Sequence, residues 1–156
     1  MLAGDDLTPW NLLHDGTIVR IERDLADTVT VWIDVPYVRA RFGDGGTLFR
    51  FRLLRCVELV YTPLDEPPIS DLLMIASSEP SILDARPEAG VVVVHGNAGT
   101  LRLRYDSLAL ELDTGTAVPL DELRRVVRAC WDEWQVSRTL PEPVAAALAS
   151  PRPPVG

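Results

Sequence analysis

The chain has 156 residues, 47% of them hydrophobic and 24% charged, with a net charge of −8. This is globular composition at the length of one domain. It lacks the basic footprint of a nucleic-acid binder and any apolar run near the roughly 18 residues of a membrane helix. All 15 basic residues are arginine, which excludes a Schiff-base lysine and a Gly-rich phosphate loop closed by Lys-Ser/Thr.

Residues 1–13 read as a loose start and then a short apolar lead-in anchored by Trp10 and Leu13. The opening residues lack the basic stretch and apolar core of a signal peptide. The expected setting is therefore cytoplasmic, with Cys56 and Cys130 reduced.

Leu12 to Tyr61 reads as two consecutive hairpins. In the first, residues 17–23 face residues 28–35. Val29, Val31, Ile33 and Val35 alternate with Thr28, Thr30, Trp32 and Asp34, the period-two signature of a half-buried strand. The predicted register pairs Ile21 with Val29 and Val19 with Val31, across a loop of odd length, because a one-residue slip would turn the apolar set outward. The second hairpin is predicted from Tyr37–Phe42, a Gly43–Gly46 turn and a long central strand from Thr47 to about Tyr61. In that register Arg39 lies opposite Arg50, and Arg39, Arg41, Arg50 and Arg52 share one face. Arg55 breaks the alternation, which suggests a bulge or a paired buried charge.

Prolines 63, 67 and 68 make the next stretch a loop. Ser70-Asp71 caps a short helix over Leu72–Ala76. Val91–Val94 is a strand, and Gly96–Gly99 a turn. Thr100–Tyr105 and Leu108–Leu112 are predicted as a hairpin with Arg102 opposite Glu111 and Leu103 opposite Leu110. Residues 119–136 form the long helix: Pro119 opens it, Asp121 and Glu122 suit its N-terminus, and Leu120, Leu123, Val127, Cys130, Trp131 and Trp134 mark one face. The predicted architecture is α+β: a largely antiparallel sheet of about seven strands with this helix and one short helix packed on it. One globular domain is expected over residues 1–138, followed by a proline-rich mobile tail over 139–156.

Three groups of residues can carry chemistry. His14 beside Asp15 suits acid–base or metal work; the plainer reading is that the pair ties down the first hairpin. His95, at the end of a strand, is the other histidine. With Cys56 and Cys130 the two histidines have none of the paired spacing of a zinc site, and no catalytic, metal or cofactor set is assigned; the cysteines read as core residues. Arg39, Arg41, Arg50 and Arg52 form a candidate anion- or partner-binding face. The plainer reading is pairing with the protein's own Asp34, Asp44 or Glu58.

Leu13-His-Asp-Gly16, Cys56-Val-Glu-Leu-Val-Tyr61, Leu101-Arg-Leu-Arg-Tyr-Asp-Ser-Leu108 and Trp131-Asp-Glu-Trp134 together resemble a broad group of small bacterial proteins. Some of these are similar to immunity proteins encoded beside secreted toxins. The resemblance spans about residues 10–135 and implies a sheet with packed helices and a protein–protein role. It transfers no functional residue, because immunity proteins bind through variable surfaces. The leading expectation is a non-catalytic binding protein whose acidic charge steers a basic partner. The alternatives are an anion-binding module on the arginine face, and an enzyme using His14, Asp15 or His95.

Overall fold

The computed structural model describes residues 2–24 and 27–139; apart from Thr139, the proposed tail lies outside the described residues. The fold is α+β, with nine strands in two antiparallel sheets. The strands are β1 (Leu2–Ala3), β2 (Thr17–Arg23), β3 (Val29–Asp34), β4 (Phe49–Leu54), β5 (Glu58–Pro63), β6 (Asp84–Glu88), β7 (Val91–His95), β8 (Gly99–Arg104) and β9 (Ser107–Leu112). The helices are α1 (Thr8–Leu12), α2 (Pro36–Arg39), α3 (Leu72–Ser77) and α4 (Leu120–Thr139). The five-stranded sheet has the order β1-β9-β4-β3-β2 and the four-stranded sheet β5-β8-β7-β6.

The long strand from Thr47 to Tyr61 exists, but it turns a corner. Arg55 takes a positive φ of 51°, and the chain leaves the five-stranded sheet as β4 to join the four-stranded sheet as β5. Residues 99–112 turn with it: β8 pairs with β5 and β9 pairs with β4. Three residues, 55–57, oppose two, 105–106, at the corner, which is the one-residue excess of a β-bulge and how strands switch sheets. Asp106 N donates to Leu54 O at 2.9 Å and Val57 N to Arg104 O at 2.9 Å. The exposed Arg55 Nε meets Asp106 Oδ2 at 2.8 Å.

This corner overturns the predicted hairpin of residues 100–112. Its two halves lie in different sheets, so Arg102 faces Val60 and Val93, while Glu111 faces Arg50. Local alternation could not register this, because β8 joins β7 and the distant β5 while β9 joins the distant β4.

The second predicted hairpin is also corrected. Residues 36–42 are α2 followed by a 3₁₀ turn over Ala40–Phe42, and β4 pairs with β3 and β9 instead. Pro36 at the first turn favours the helix, its fixed φ being preorganised for it. In the first hairpin the register is Ile21↔Val31 and Arg23↔Val29, with a bulge between Ile18 and Arg20. That is two residues from the predicted pairing, so the apolar face is preserved as far as the bulge, which turns Ile18 inward as well; Ile18 is fully buried.

The inner faces of both sheets feed one buried cluster, which Trp10 of α1, Ile75 of α3, and Leu123, Val127 and Cys130 of α4 complete. Trp10 meets Phe51 edge-on at 4.9 Å and its indole N–H donates to Tyr105 Oη at 2.8 Å. Asp71 caps α3 by accepting from Met74 N at 3.0 Å.

Candidate functional site

Leu13-His14-Asp15-Gly16 is a structural joint. Asp15 has φ 70°. Its N–H donates to Ile82 O at 2.7 Å, and Ile82 N donates back to Gly16 O at 2.9 Å. A Cβ on Gly16 would lie 2.7 Å from Leu13 O and 2.8 Å from an Ile33 methyl, so only glycine fits. His14 stacks on Trp131 of α4 with ring centroids 5.2 Å apart and planes at 11°. Its Nδ1 is 3.0 Å from Asn11 O, and its Nε2 4.0 Å from Asp15 Oδ2. The imidazole thus joins α1 to α4. His95 is exposed at the end of β7 opposite Asp84 and Thr100. Among the described residues no hydrogen bond or ion pair joins it to His14 or Asp15, and no cluster of three or more His, Cys, Asp or Glu is placed to hold a metal ion. Cys56 and Cys130 are buried and free, and burial pushes both thiols up from their ordinary pKa.

The four arginines do not share a face. Arg39 is 1% exposed and sits at the centre of a knot. Its Nε donates to Leu48 O at 2.9 Å, and its Nη2 to Asp113 Oδ1 at 2.8 Å and Asp44 Oδ2 at 3.0 Å. Asp113 Oδ2 also accepts from the N–H groups of Thr47 and Leu48, both at 3.1 Å. Asp44 accepts from Thr114 Oγ1 at 2.6 Å and Gly46 N at 3.1 Å. Arg39 Nη1 lies 2.7 Å from Asp44 Oδ1 but off the line of a hydrogen bond, so that contact is ionic. The Arg39 bond, reinforced by Thr114, holds the Asp44 carboxyl well below the usual carboxylate range. For Asp113, burial pushes the other way, and the Arg39 bond and the two backbone N–H groups outweigh it. Arg41 is committed to Glu133 of α4, with Nη1 to Oε1 at 3.0 Å. Arg50 Nε donates to Glu111 Oε1 at 3.0 Å across the β4–β9 ladder.

Arg52 is different. It lies on the outer face of the five-stranded sheet, exposed, with Thr30 on one side and Ala109 on the other. The strand registers arrange that face in two cross-strand rows. One runs Arg20–Trp32–Arg50–Glu111, the other Glu22–Thr30–Arg52–Ala109. Arg20 Nε donates to Glu22 Oε1 at 2.8 Å, and its guanidinium carbon stands 4.5 Å from the Trp32 ring centroid. Trp32, Thr30, Arg50, Arg52 and Glu111 line a shallow recess of ≈ 290 Å³. Glu111 ends the first row on β9 and Glu22 ends the second on β2; Arg20 is bonded to Glu22 and Arg50 to Glu111, whereas Arg52 has Thr30 and Ala109 beside it and none of the described acids.

Sequence reasoning placed Trp32 on the polar side of its strand but did not join it to Arg50 and Arg52. The signal was Trp32 itself, a large aromatic at a position that the alternation assigns outward. A larger recess of ≈ 350 Å³ lies between the N-terminal segment and the β6–β7 hairpin, lined by Asp5, Leu7, Val91, Arg104 and Tyr105 among others. The Tyr105 hydroxyl is pushed up to about 12 by burial, against the pull of the Trp10 indole N–H.

Edge strands β5 and β6 and the start of β2 are engaged. The Asn11 side chain accepts from Ala85 N at 2.8 Å and donates to Ala85 O at 3.2 Å, standing in for a strand neighbour on β6. Tyr61 of β5 exchanges backbone bonds with Ile69 at 2.9 and 2.7 Å, and the start of β2 bridges to Ser81. Such covers suppress edge-to-edge pairing. No helix among the described residues is long and apolar enough to cross a membrane.

Comparison of the chain with protein-family models, with curated proteins and with solved structures gave no match.

Proposed function

We propose that this chain is a non-catalytic binding protein of the immunity or inhibitor type that docks a partner protein on the outer face of its five-stranded sheet. One observation carries the reading: an open sheet face centred on Trp32, flanked by Arg20 and Arg50 and adjoined by Arg52. Tryptophan and arginine are the residues that most often dominate interface energetics, because each offers large contact area with little loss of side-chain freedom per contact. The covered edges support a face rather than a strand edge as the docking mode. The net charge of −8 supports a partner of opposite overall sign, since the whole-protein field governs approach while local groups govern fit. A bacterial, cytoplasmic setting belongs to the same reading.

The test is capture of partners from the source cells by the wild-type protein and by Trp32→Ala and Thr30→Glu, read by mass spectrometry at two salt concentrations. The expected result is one protein retained by the wild type, lost by both variants and weakened by salt. Capture that survives both variants would place the interface elsewhere.

A second reading is favoured by the recess itself. Arg50, Arg52 and Thr30 offer donors to a small anion. Anionic metabolites should then raise the melting temperature of the wild type and not of an Arg50→Ala, Arg52→Ala double variant.

A further inference from the structure

We infer that Arg52 is the recognition charge of this face, and that its counterpart is a carboxylate on an extended segment of the partner that carries an apolar side chain two residues from that acid. The inference rests on the docking reading above. Arg20 and Arg50 already have carboxylates, Glu22 and Glu111, on this same face. A partner's acid approaching either must displace that internal acid. Arg52 has only Thr30 and Ala109 beside it in its row, so a carboxylate meeting it displaces nothing but water and gains a charge-assisted, bidentate contact.

The surroundings set the rest of the ligand. Ala109 is small and leaves space next to the guanidinium, and the recess floor includes Thr30 and Trp32. An apolar side chain two residues from the acid points to the same side of an extended segment and can lie against Trp32 while the acid meets Arg52. A phosphate backbone fits less well. Its successive charges would meet Glu22 and Glu111 within the same rows, and nucleic-acid affinity comes from neutralising several phosphates together.

The test is an NMR titration of the ¹⁵N-labelled full chain with the blocked peptide acetyl-Ser-Glu-Ser-Leu-Ser-amide, whose Glu and Leu share one face when extended, following the Trp32 indole N–H and the Arg52 Nε–H. The expected result is a saturable shift of both signals in the wild type, a Trp32 response at least tenfold weaker in Arg52→Gln, and no shift with a Gln-for-Glu peptide. Unchanged amide spectra would show that Arg52→Gln remains folded. A shift of equal strength in Arg52→Gln, or none at either signal, overturns the inference. Stronger shifts with inorganic phosphate or a single-stranded oligonucleotide than with the peptide overturn it in favour of phosphate recognition. Partner capture that is lost in Trp32→Ala but retained in Arg52→Gln leaves the docking face standing and removes this charge assignment alone.

Discussion

Two Arg-x-Arg copies stand close together in the first third of the chain, at 39–41 and at 50–52, and they end in different states. In the first copy Arg39 is sealed in the interior with Asp44 and Asp113, and Arg41 is tied to α4. In the second copy both side chains stand on an open sheet face, Arg50 with Glu111 and Arg52 with none of the described acids. The difference does not lie in the arginines. Asp113 arrives at Arg39 from 74 residues away, and Glu111 arrives at Arg50 from 61. A charge becomes structural where distant carboxylates and backbone groups converge on it, and stays available where its strand neighbours are neutral.

The largest effect is expected at the buried copy. Arg39→Ala leaves Asp44 and Asp113 facing each other without their counter-ion. It should cost about 3 kcal/mol in chemical denaturation, the low end for breaking a buried pair, because both acids keep some contact with water (26% and 21% exposed). A loss below about 1 kcal/mol would show that the knot is a surface feature.

Gly46 sharpens the same point. A Cβ there would overlap Arg39 Nη2 and Asp113 Oδ1, whereas Gly45, at φ +81°, has open space. Gly46→Ala should destabilise by about 1–3 kcal/mol through overpacking, and Gly45→Ala by about 1 kcal/mol through backbone strain alone. Combining each with Arg39→Ala separates the two causes. Only the Gly46 effect should shrink, since that variant removes one of the atoms it meets.

The knot also has a pH signature. Asp44 and Asp113 both have depressed folded-state pKa values, Asp44 chiefly through its Arg39 bond and Asp113 through its donors overcoming burial. A depressed acid contributes stability that is fully present above its unfolded value, about pH 4, and is lost as pH falls through the folded value. The denaturation midpoint should hold from pH 6 to about pH 4 and decline below it. In Arg39→Ala that acid-side decline should flatten. A slope unchanged by the substitution would assign acid sensitivity to other carboxylates.

The open copy should respond least. Glu111→Ala removes a half-buried cross-strand pair and should cost about 1 kcal/mol or less. Arg52→Ala should change stability by no more than about 0.5 kcal/mol while weakening partner binding. A stability loss at Arg52 comparable to that at Arg39 would erase the distinction between the two copies.

Much of the fold is legible in the sequence. The alternation of Val29, Val31, Ile33 and Val35 placed all four inside, and they are fully buried. Trp10 and Leu13 were anchors, Asp71 was a cap, and Arg55 was an irregularity, which proved to be the bulge at the corner. The misreadings share one cause. Residues 37–42 and the hairpin over 100–112 were paired with their nearest neighbours in sequence, each with a self-consistent register. Local complementarity of Arg102 with Glu111 is real chemistry, but the corner at Arg55 and Asp106 sends the two residues into different sheets. The candidate site suffered in the same way: a false strand at 37–42 put Arg39 beside Arg50, and the true neighbours of Arg52 belong to β3 and β9.

By itself, then, the sequence determined what depends on residues a few positions apart: the α+β class, the inward and outward faces of most strands, and the helix starts at Asp71 and Pro119. The tertiary structure alone decided which strand lies beside which, that two long strands bend together into separate sheets, and which of four similar arginines is buried. The physical reason is range. Side-chain alternation, caps and φ preferences act within a few residues, whereas a ladder partner or a counter-ion is chosen by the whole packing of the core.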